Sequence, residues 1–291
     1  MPELPEVHAL ATDLRGRLVG HTVDTLQLSS FAALKTFDPP VSALHGMPVS
    51  SVDRHGKYLD IGFLDNHGAE LHLLIHLARA GWLRWRELAP GPVRPGGKGP
   101  LAARLVLDDG SGFDLTEAGT KKSLAIHLVR DPQDVERVAT LGPDPLEPEF
   151  TVDVLAGILA AQGRSQIKGV LRSQSIIAGI GNAYSDEILH AAKMSPYKPA
   201  AMTPDEVQRL YDAIQETLRA AVARADGLAA SELKREKKTN LQVHGRAGLP
   251  CPVCGDTVRE VRFANSTLEY CSTCQTGGKP LADRVLSRLL K

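Results

Sequence analysis

A chain of 291 residues carrying 34 basic and 34 acidic side chains is long enough for two domains of ordinary size, each with its own core, and a small third module. No stretch approaches the roughly 18 apolar residues of a membrane span, and the acidic start lacks the basic region and apolar core of a secretory leader, so a cytosolic protein without membrane contact is expected. All four cysteines fall between residues 251 and 274, which argues against a disulfide framework spread over the fold and for one local site. The zero net charge hides a division along the chain. Residues 231–291 hold 11 Lys/Arg against 6 Asp/Glu, and the remainder is acidic by the same margin.

The chain opens Met1-Pro2-Glu3-Leu4-Pro5-Glu6-Val7. A proline in second place favours removal of Met1, which leaves Pro2 with the α-amino group, and such a group titrates at about 7.7 to 8.0 against about 10.4 for lysine. That amine is a nucleophile able to form a Schiff base at a sugar carbon, with Glu3 beside it as a proton donor. The same residues also read as helix punctuation, with proline and acid where a helix begins. The two readings are compatible, because a helix N-terminus offers N–H groups and partial positive charge to an anion such as phosphate.

After this helix, alternating or β-branched runs predict strands at residues 23–28, 58–63, 71–77, 104–107 and 124–129. The Pro- and Gly-rich stretch 89–100 reads as a long hairpin connection or a mobile loop. At Leu141-Gly-Pro-Asp-Pro-Leu-Glu-Pro148 three prolines end the sheet pattern. Helical spacing follows at 151–161, 184–192 and 203–224, with a glycine turn, Ile180-Gly-Asn182-Ala-Tyr184, leading into the second. The run Lys234-Arg-Glu-Lys-Lys238 is either a phosphate-contacting patch or a solvated charge run.

The cysteines form Cys251-Pro-Val-Cys254 and Cys271-Ser-Thr-Cys274 with sixteen residues between the pairs, within the spacing of a four-thiolate zinc site. Four thiolates complete a tetrahedron with no open position, so one structural zinc is expected, holding the C-terminal element without taking part in chemistry. An element this short lacks a core, and metal binding supplies much of its folding energy.

These motifs together resemble the formamidopyrimidine-DNA glycosylase and endonuclease VIII family of base-excision repair enzymes. The resemblance is carried by residues 1–7, His55-Gly-Lys57-Tyr-Leu, Ile75-His76-Leu77, Ile167-Lys168, Ile177-Ala-Gly-Ile-Gly-Asn182-Ala-Tyr184-Ser-Asp-Glu187 and Gln242-Val-His-Gly-Arg246 before the cysteines. It implies an α+β multidomain protein. A catalytic β-sandwich with a flanking helix occupies 1–140, a helix-two-turn-helix DNA-binding domain 141–240, and a four-cysteine zinc finger with a C-terminal tail 241–291.

By the resemblance, Pro2 attacks C1′ of a damaged nucleotide flipped out of double-stranded DNA, Glu3 handles protons, and elimination then nicks the strand, a combined glycosylase and lyase. Lys57 joins this catalytic set. Lys57, His76 and Asn182 match phosphate-gripping positions, as a point charge, a switchable donor and an amide beside a glycine turn, and Lys168 is grouped with the DNA-binding residues. Taken singly, Lys57 also reads as a strand-edge charge, His76 as a satisfied, partly buried histidine, and Asn182 as a turn or cap residue. A monomer in the cytoplasm, associated with the nucleoid, is expected.

The chain departs from the family pattern at the side chains that fill the space left by the flipped nucleotide. Arg79 stands where a Met is common, and Thr116-Glu-Ala-Gly-Thr-Lys-Lys-Ser-Leu124 lacks an Arg-Phe pair, so Arg79 is expected either to stack through its planar guanidinium or to bind phosphate. Asn265-Ser266-Thr267 occupies the place of a zinc-hairpin Arg, with Arg259 and Arg262 as substitutes. The connection 227–240 is shorter than the loop that caps 8-oxoguanine in the guanine-directed branch, which brings oxidised pyrimidines, abasic sites or an unusual lesion forward as substrates. The alternative reading is a catalytically weak protein of the same fold that binds damage or abasic sites.

Overall fold

The computed structural model describes residues 1–97, 99–263 and 266–282 and divides into two compact units. The first comprises Met1–Thr140 and Ala225–Lys234, the second the described residues of Leu141–Arg224 and from Arg235 onward. The C-terminal tail beyond residue 282 lies outside the described residues, as does Asn265.

The first unit opens with α1 (Leu4–Leu18) and holds two four-stranded antiparallel sheets. One has the order β1 (Val23–Leu28), β6 (Leu101–Leu107), β7 (Gly112–Glu117), β5 (Gly81–Arg86); the other runs β2 (Val49–His55), β3 (Tyr58–Leu64), β4 (Glu70–His76), β8 (Ala125–Val129). Period-2 alternation sorts the faces. Leu59, Ile61 and Phe63 of β3, Leu73 and Ile75 of β4, and Ile126 and Leu128 of β8 join Leu105, Phe113 and Leu115 of the other sheet in one buried cluster. Val7, Leu10, Leu14 and Leu18 of α1 enter it at the helical spacing. Ala225, Ala230 and Leu233 extend it, and Trp82 Nε1 donates to the Ala230 carbonyl at 3.0 Å.

Three strands escape the sequence reading for a physical reason. β2 follows a buried–exposed pattern interrupted by a register shift between Val49 and Ser51. β7 buries the charged Asp114, whose carboxylate takes Arg104 Nε at 2.6 Å and Arg86 at 2.8 Å, so charge there does not mark the solvent face. β5 alternates less sharply, with Trp82 and Trp85 only partly buried. The 89–100 segment is no hairpin connection, since β5 and β6 each pair with β7 rather than with each other. It is tied down as well, by Val93 N–H to Gln27 Oε1 at 2.9 Å and by Arg104 Nη1 to the Pro90 carbonyl at 2.7 Å.

The second unit is helical and ends in the cysteine hairpin. It contains α3 (Val152–Gln162), whose N–H of Val154 is capped by Thr151 Oγ1, then α4 (Ile167–Arg172), α5 (Asn182–Ala191) and most of α6 (Pro204–Ala225) and α7 (Leu233–Asn240). The strands β9 (Val258–Arg262) and β10 (Thr267–Cys271) pair antiparallel, and α8 (Ser272–Thr276) follows. In the first unit, the segment Met1–Thr140 ends with α2 (Glu136–Ala139).

Candidate active site and nucleic-acid contacts

At the N-terminus, helix punctuation builds the catalytic candidate. Glu3 is the extended residue before α1, and its N–H donates to the Glu6 carboxylate at 2.8 Å, while Pro5 occupies the first turn without an N–H to leave unpaired. Glu6 thereby places an acid at the positive end of the helix. Pro2 is buried, Glu3 and Glu6 are each 2% exposed, and Met1 is half-exposed. The first helical turn thus holds Pro2 and Glu3 in a fixed, largely desolvated place.

In the same unit, Lys57 follows Gly56, whose φ of 54° makes the tight β2–β3 turn that glycine tolerates. Lys57 is 8% exposed. Across the β3–β4 ladder Tyr58 lies opposite His76, with ring centroids 4.8 Å apart. Burial pushes His76 down to about 4, and the cations of Lys57 and Arg137 add to the effect together with His127. His76 is therefore a neutral imidazole near pH 7. It offers an N–H but does not switch charge there, which corrects the reading of it as a switchable donor.

The sequence reading missed Arg137 of α2 and His127 of β8. Burial raises the Tyr58 hydroxyl, opposed by the charge and hydrogen bond of Arg137, and His127 lies 6.3 Å from the Tyr58 ring. His127 was discoverable as the outward residue between the buried Ile126 and Leu128. Nothing in the sequence marks Arg137.

Arg79 stands at the apex of the β4–β5 turn. Gly81 N–H closes it on the Leu77 carbonyl at 2.9 Å, and a Cβ at Gly81 would lie 2.1 Å from that same oxygen, so only glycine fits. Ala78 takes the left-handed conformation at φ 51°, a strain of roughly 1 kcal/mol for a residue with a Cβ. Arg79 itself is exposed. The neighbouring stretch that lacks the Arg-Phe pair is a folded loop, because the buried Glu117 carboxylate accepts the N–H groups of Ser123 and Leu124 at 2.7 and 3.0 Å. Ala118 N–H joins the two loops by bonding the Ala80 carbonyl at 3.3 Å, and Lys121 and Lys122 are exposed beside Arg79's turn.

In the second unit Asn182 is the first residue of α5. Its Nδ2 donates to the Thr267 carbonyl at 2.9 Å, and its buried Oδ1 has no hydrogen-bond partner among the described residues. Lys168 is placed differently from the expectation. It is 5% exposed, and its ammonium donates to Asp186 Oδ1 at 2.6 Å, Ser185 Oγ at 2.9 Å and the Asn182 carbonyl at 3.2 Å. Its ammonium is engaged inside the fold, bracing the start of α5. Arg259 and Arg262 are engaged too, with Ser272 Oγ at 3.1 Å and with Glu260 at 2.5 Å.

The cysteines converge. The sulfur atoms of Cys251, Cys254, Cys271 and Cys274 all lie within 4.8 Å of one another, with Cys251 to Cys274 at 3.9 Å and Cys254 to Cys271 at 3.3 Å. A tetrahedron with zinc–sulfur bonds of about 2.3 Å has edges of about 3.8 Å, so the donor set fits one structural zinc. Without a metal, burial pushes the Cys271 thiol up to about 11 and Cys274 up as well, and zinc, which takes thiolates, displaces those protons on binding. The buried His190 of α5, which burial pulls below the ordinary histidine value, brings Nε2 to 3.3 Å from Cys251 Sγ. Sequence gave no sign of that contact.

Comparison with known proteins locates the chain. Three family models match, described as "Formamidopyrimidine-DNA glycosylase N-terminal domain" over residues 1–123, "Formamidopyrimidine-DNA glycosylase H2TH domain" over 141–232 and "Zinc finger found in FPG and IleRS" over 248–277. A formamidopyrimidine-DNA glycosylase of Symbiobacterium thermophilum is 36% identical over 287 residues, spanning 94% of this chain and 89% of that protein. An uncharacterized formamidopyrimidine-DNA glycosylase-like protein of Mycobacterium tuberculosis is 55% identical over 152 residues, 52% of this chain and 94% of the relative. Among solved structures, the Lactococcus lactis formamidopyrimidine-DNA glycosylase bound non-covalently to DNA containing an AP site superposes with a TM-score of 0.79 at 25% identity, covering 94% of this chain and 99% of that one.

Proposed function

Because the chain belongs to the formamidopyrimidine-DNA glycosylase family, a family of DNA glycosylases of base-excision repair, we propose that it couples base removal to strand cleavage through Pro2. With Met1 removed, the Pro2 nitrogen forms a bond to C1′ of a flipped nucleotide as the glycosidic bond breaks and the base leaves. Glu3 protonates the ring oxygen as the sugar opens, giving an iminium. Loss of a C2′ proton then expels the 3′ phosphate and nicks the strand, the AP lyase step. The observation that carries this reading is the helix start that buries Pro2 and Glu3 beside the Glu6 clasp.

The remaining roles follow from charge and placement. Lys57, buried at its turn, supplies a point charge to a phosphate beside the lesion, and His76 a neutral N–H. Asn182 offers its carboxamide to the backbone of the same strand, and Arg79 probes the gap in the stack from its rigid turn. The partner is double-stranded DNA with a damaged base or abasic site, bound by a monomer in the cytoplasm near the nucleoid. The four cysteines hold structural zinc and stay outside the chemistry. Retention of Pro2, Glu3 and Lys57 together supports an enzyme over a binding protein without catalysis.

Borohydride trapping on duplex DNA with one abasic site tests the reading. Protein with a native N-terminus forms a covalent adduct, a form retaining Met1 forms none, and Pro2→Gly traps more slowly. Tight binding of abasic DNA by the native form without any adduct overturns the lyase assignment.

A further inference from the structure

The groups that hold Asn182 close a ring. Lys168 Nζ bonds the Asn182 carbonyl at 3.2 Å and Asp186 Oδ1 at 2.6 Å. The other Asp186 oxygen lies 2.8 Å from His244 Nδ1, and the same Nδ1 lies 2.9 Å from Glu269 Oε2. Glu269 stands two residues along β10 from Thr267, whose carbonyl takes Asn182 Nδ2 at 2.9 Å. Asp186, Lys168 and Glu269 are 0%, 5% and 6% exposed.

We propose that His244, as an imidazolium clasped between Asp186 and Glu269, is a positioning residue that fixes the Asn182 carboxamide for the DNA backbone. The inference rests on the phosphate role given to Asn182 above. Lys168, Asp186 and Glu269 alone sum to one negative charge, and a proton on His244 makes the ring neutral. Without it, two buried carboxylates converge on a single neutral N–H, an arrangement in which like charges repel at low dielectric.

Among the described residues, the ionic partners of His244 belong to this arrangement. Asp186 approaches from α5, Glu269 from β10, and Lys168 from α4 through Asp186. Glu187 of α5 holds the backbone of the same loop, taking the N–H groups of Gln242, Val243 and His244 at 2.7, 2.9 and 2.8 Å. Asp186, His244 and Glu269 also bring ligand atoms within 4.8 Å. Lys168 already engages one carboxylate, however, and Gly245 N–H the other at 2.5 Å, so a proton is the counter-charge this geometry accommodates. Burial pulls His244 down, but the hydrogen bonds and charges of Asp186 and Glu269 overcome it and raise it to about 9.

The raised group fixes the sign. Its stabilisation is fully present below the ordinary histidine value near 6.5 and is lost as pH rises through about 9. DNA affinity therefore holds on the acid side of this titration and weakens as pH rises through about 9, levelling off about tenfold lower, where His244 is neutral. The experiment uses the full zinc-loaded chain and a duplex containing a tetrahydrofuran abasic analogue, which does not eliminate in base, with Kd measured from pH 6.5 to 10. In parallel, histidine ring NMR follows the His244 titration.

The expected result is a wild-type alkaline limb coinciding with His244 titration near 9. His244→Gln binds about tenfold more weakly at pH 7 and lacks the limb, His244→Arg restores binding at pH 10, and His244→Gln adds nothing to Asn182→Ala. A neutral His244 at pH 7, parallel pH curves for wild type and His244→Gln, or additive losses with Asn182→Ala would overturn the inference. Should His244→Gln fail to fold, the wild-type titration and affinity curve decide alone. Wild type that binds the abasic duplex at no pH overturns the proposed function and this inference with it, an outcome distinct from binding without the limb.

Discussion

The two units each keep a histidine beside a residue assigned to DNA, and they bias it in opposite directions. His76 ends the interior strand β4, paired with β3 on one side and β8 on the other, and burial together with the charges of Lys57, Arg137 and His127 drives it down to about 4. His244 lies between two carboxylates that raise it to about 9. The difference reflects how each unit is held together. The first rests mainly on a large apolar sandwich with a few buried ion pairs set into it, such as Arg104 with Asp114, whereas the hairpin end of the second has only small apolar clusters and relies on thiolates, a metal and ion pairs. Rigid apolar packing permits a neutral hydrogen-bond donor. A charged scaffold uses its protons as structural parts.

Metal removal gives the largest effect that separates these regimes. Stripping zinc with a chelator, or Cys254→Ser, costs about 10 kcal/mol of local folding free energy and unfolds the segment carrying the cysteines. Hydrogen exchange is expected to show residues 243–276 losing protection while β3 and β4 keep theirs. Simultaneous loss in both units would mean that the sandwich is not self-sufficient.

Next in size is the buried ion pair. Lys168→Met leaves Asp186, 0% exposed, without its ammonium partner, a loss of about 3–5 kcal/mol. Phe63→Ala in the sandwich costs a similar ~3–5 kcal/mol through cavity formation alone. Denaturant melts at varied pH distinguish the causes. The Lys168→Met deficit shrinks when Asp186 is also made Asn, and the Phe63→Ala deficit is unchanged by that substitution.

The histidines give opposed pH slopes of smaller size. His76 has a folded value below its unfolded one, so the native state binds fewer protons. Its stabilisation is present above about 6.5 and is lost as pH falls toward about 4. His244 behaves in reverse, losing its contribution as pH rises through about 9. Chemical melts of the wild type are expected to show best stability between these limbs. His76→Gln removes the acid contribution and His244→Gln the alkaline one. A variant that flattens the opposite limb would refute the assignment.

What the sequence displayed and what it concealed divide along the same physical line. Local signals were readable: the Pro-Glu helix start, the β3 and β4 alternation, the cysteine spacing and the glycine turn before Asn182. Long-range polar pairings were not. Asp186 and His244 are 58 residues apart in the chain and meet only through tertiary packing, and Lys168, read as a cation for DNA, is claimed by the same network. Tyr58 gives no hint of Arg137, nor His190 of Cys251. α7 escaped as well, because Leu233-Lys-Arg-Glu-Lys-Lys-Thr-Asn240 has one buried residue and no apolar stripe. It is anchored by side-chain contacts, among them Arg224 to Glu236 at 2.9 Å and Lys237 over the Tyr184 ring at 4.5 Å.

The smallest predicted effect concerns how the returning segment 225–234 is fastened to the sandwich. Trp82 reaches it twice, through Nε1 to the Ala230 carbonyl at 3.0 Å and through its ring, over which Lys234 Nζ lies at 4.3 Å. Burial pulls the Lys234 ammonium down, while the aromatic face beneath it favours the charged form. Lys234→Met keeps the apolar stem and removes the charge, so it is expected to cost about 0.5–1 kcal/mol. Trp82→Phe also removes the N–H, leaves the Ala230 carbonyl without its donor, and is expected to cost about 1–2 kcal/mol. In a double-mutant cycle, coupling between the two positions reports how much better the indole holds the ammonium than a phenyl ring does, since Lys234 has no part in the Ala230 bond. Zero coupling would mean that the indole is needed for its hydrogen bond, not for the charge above it.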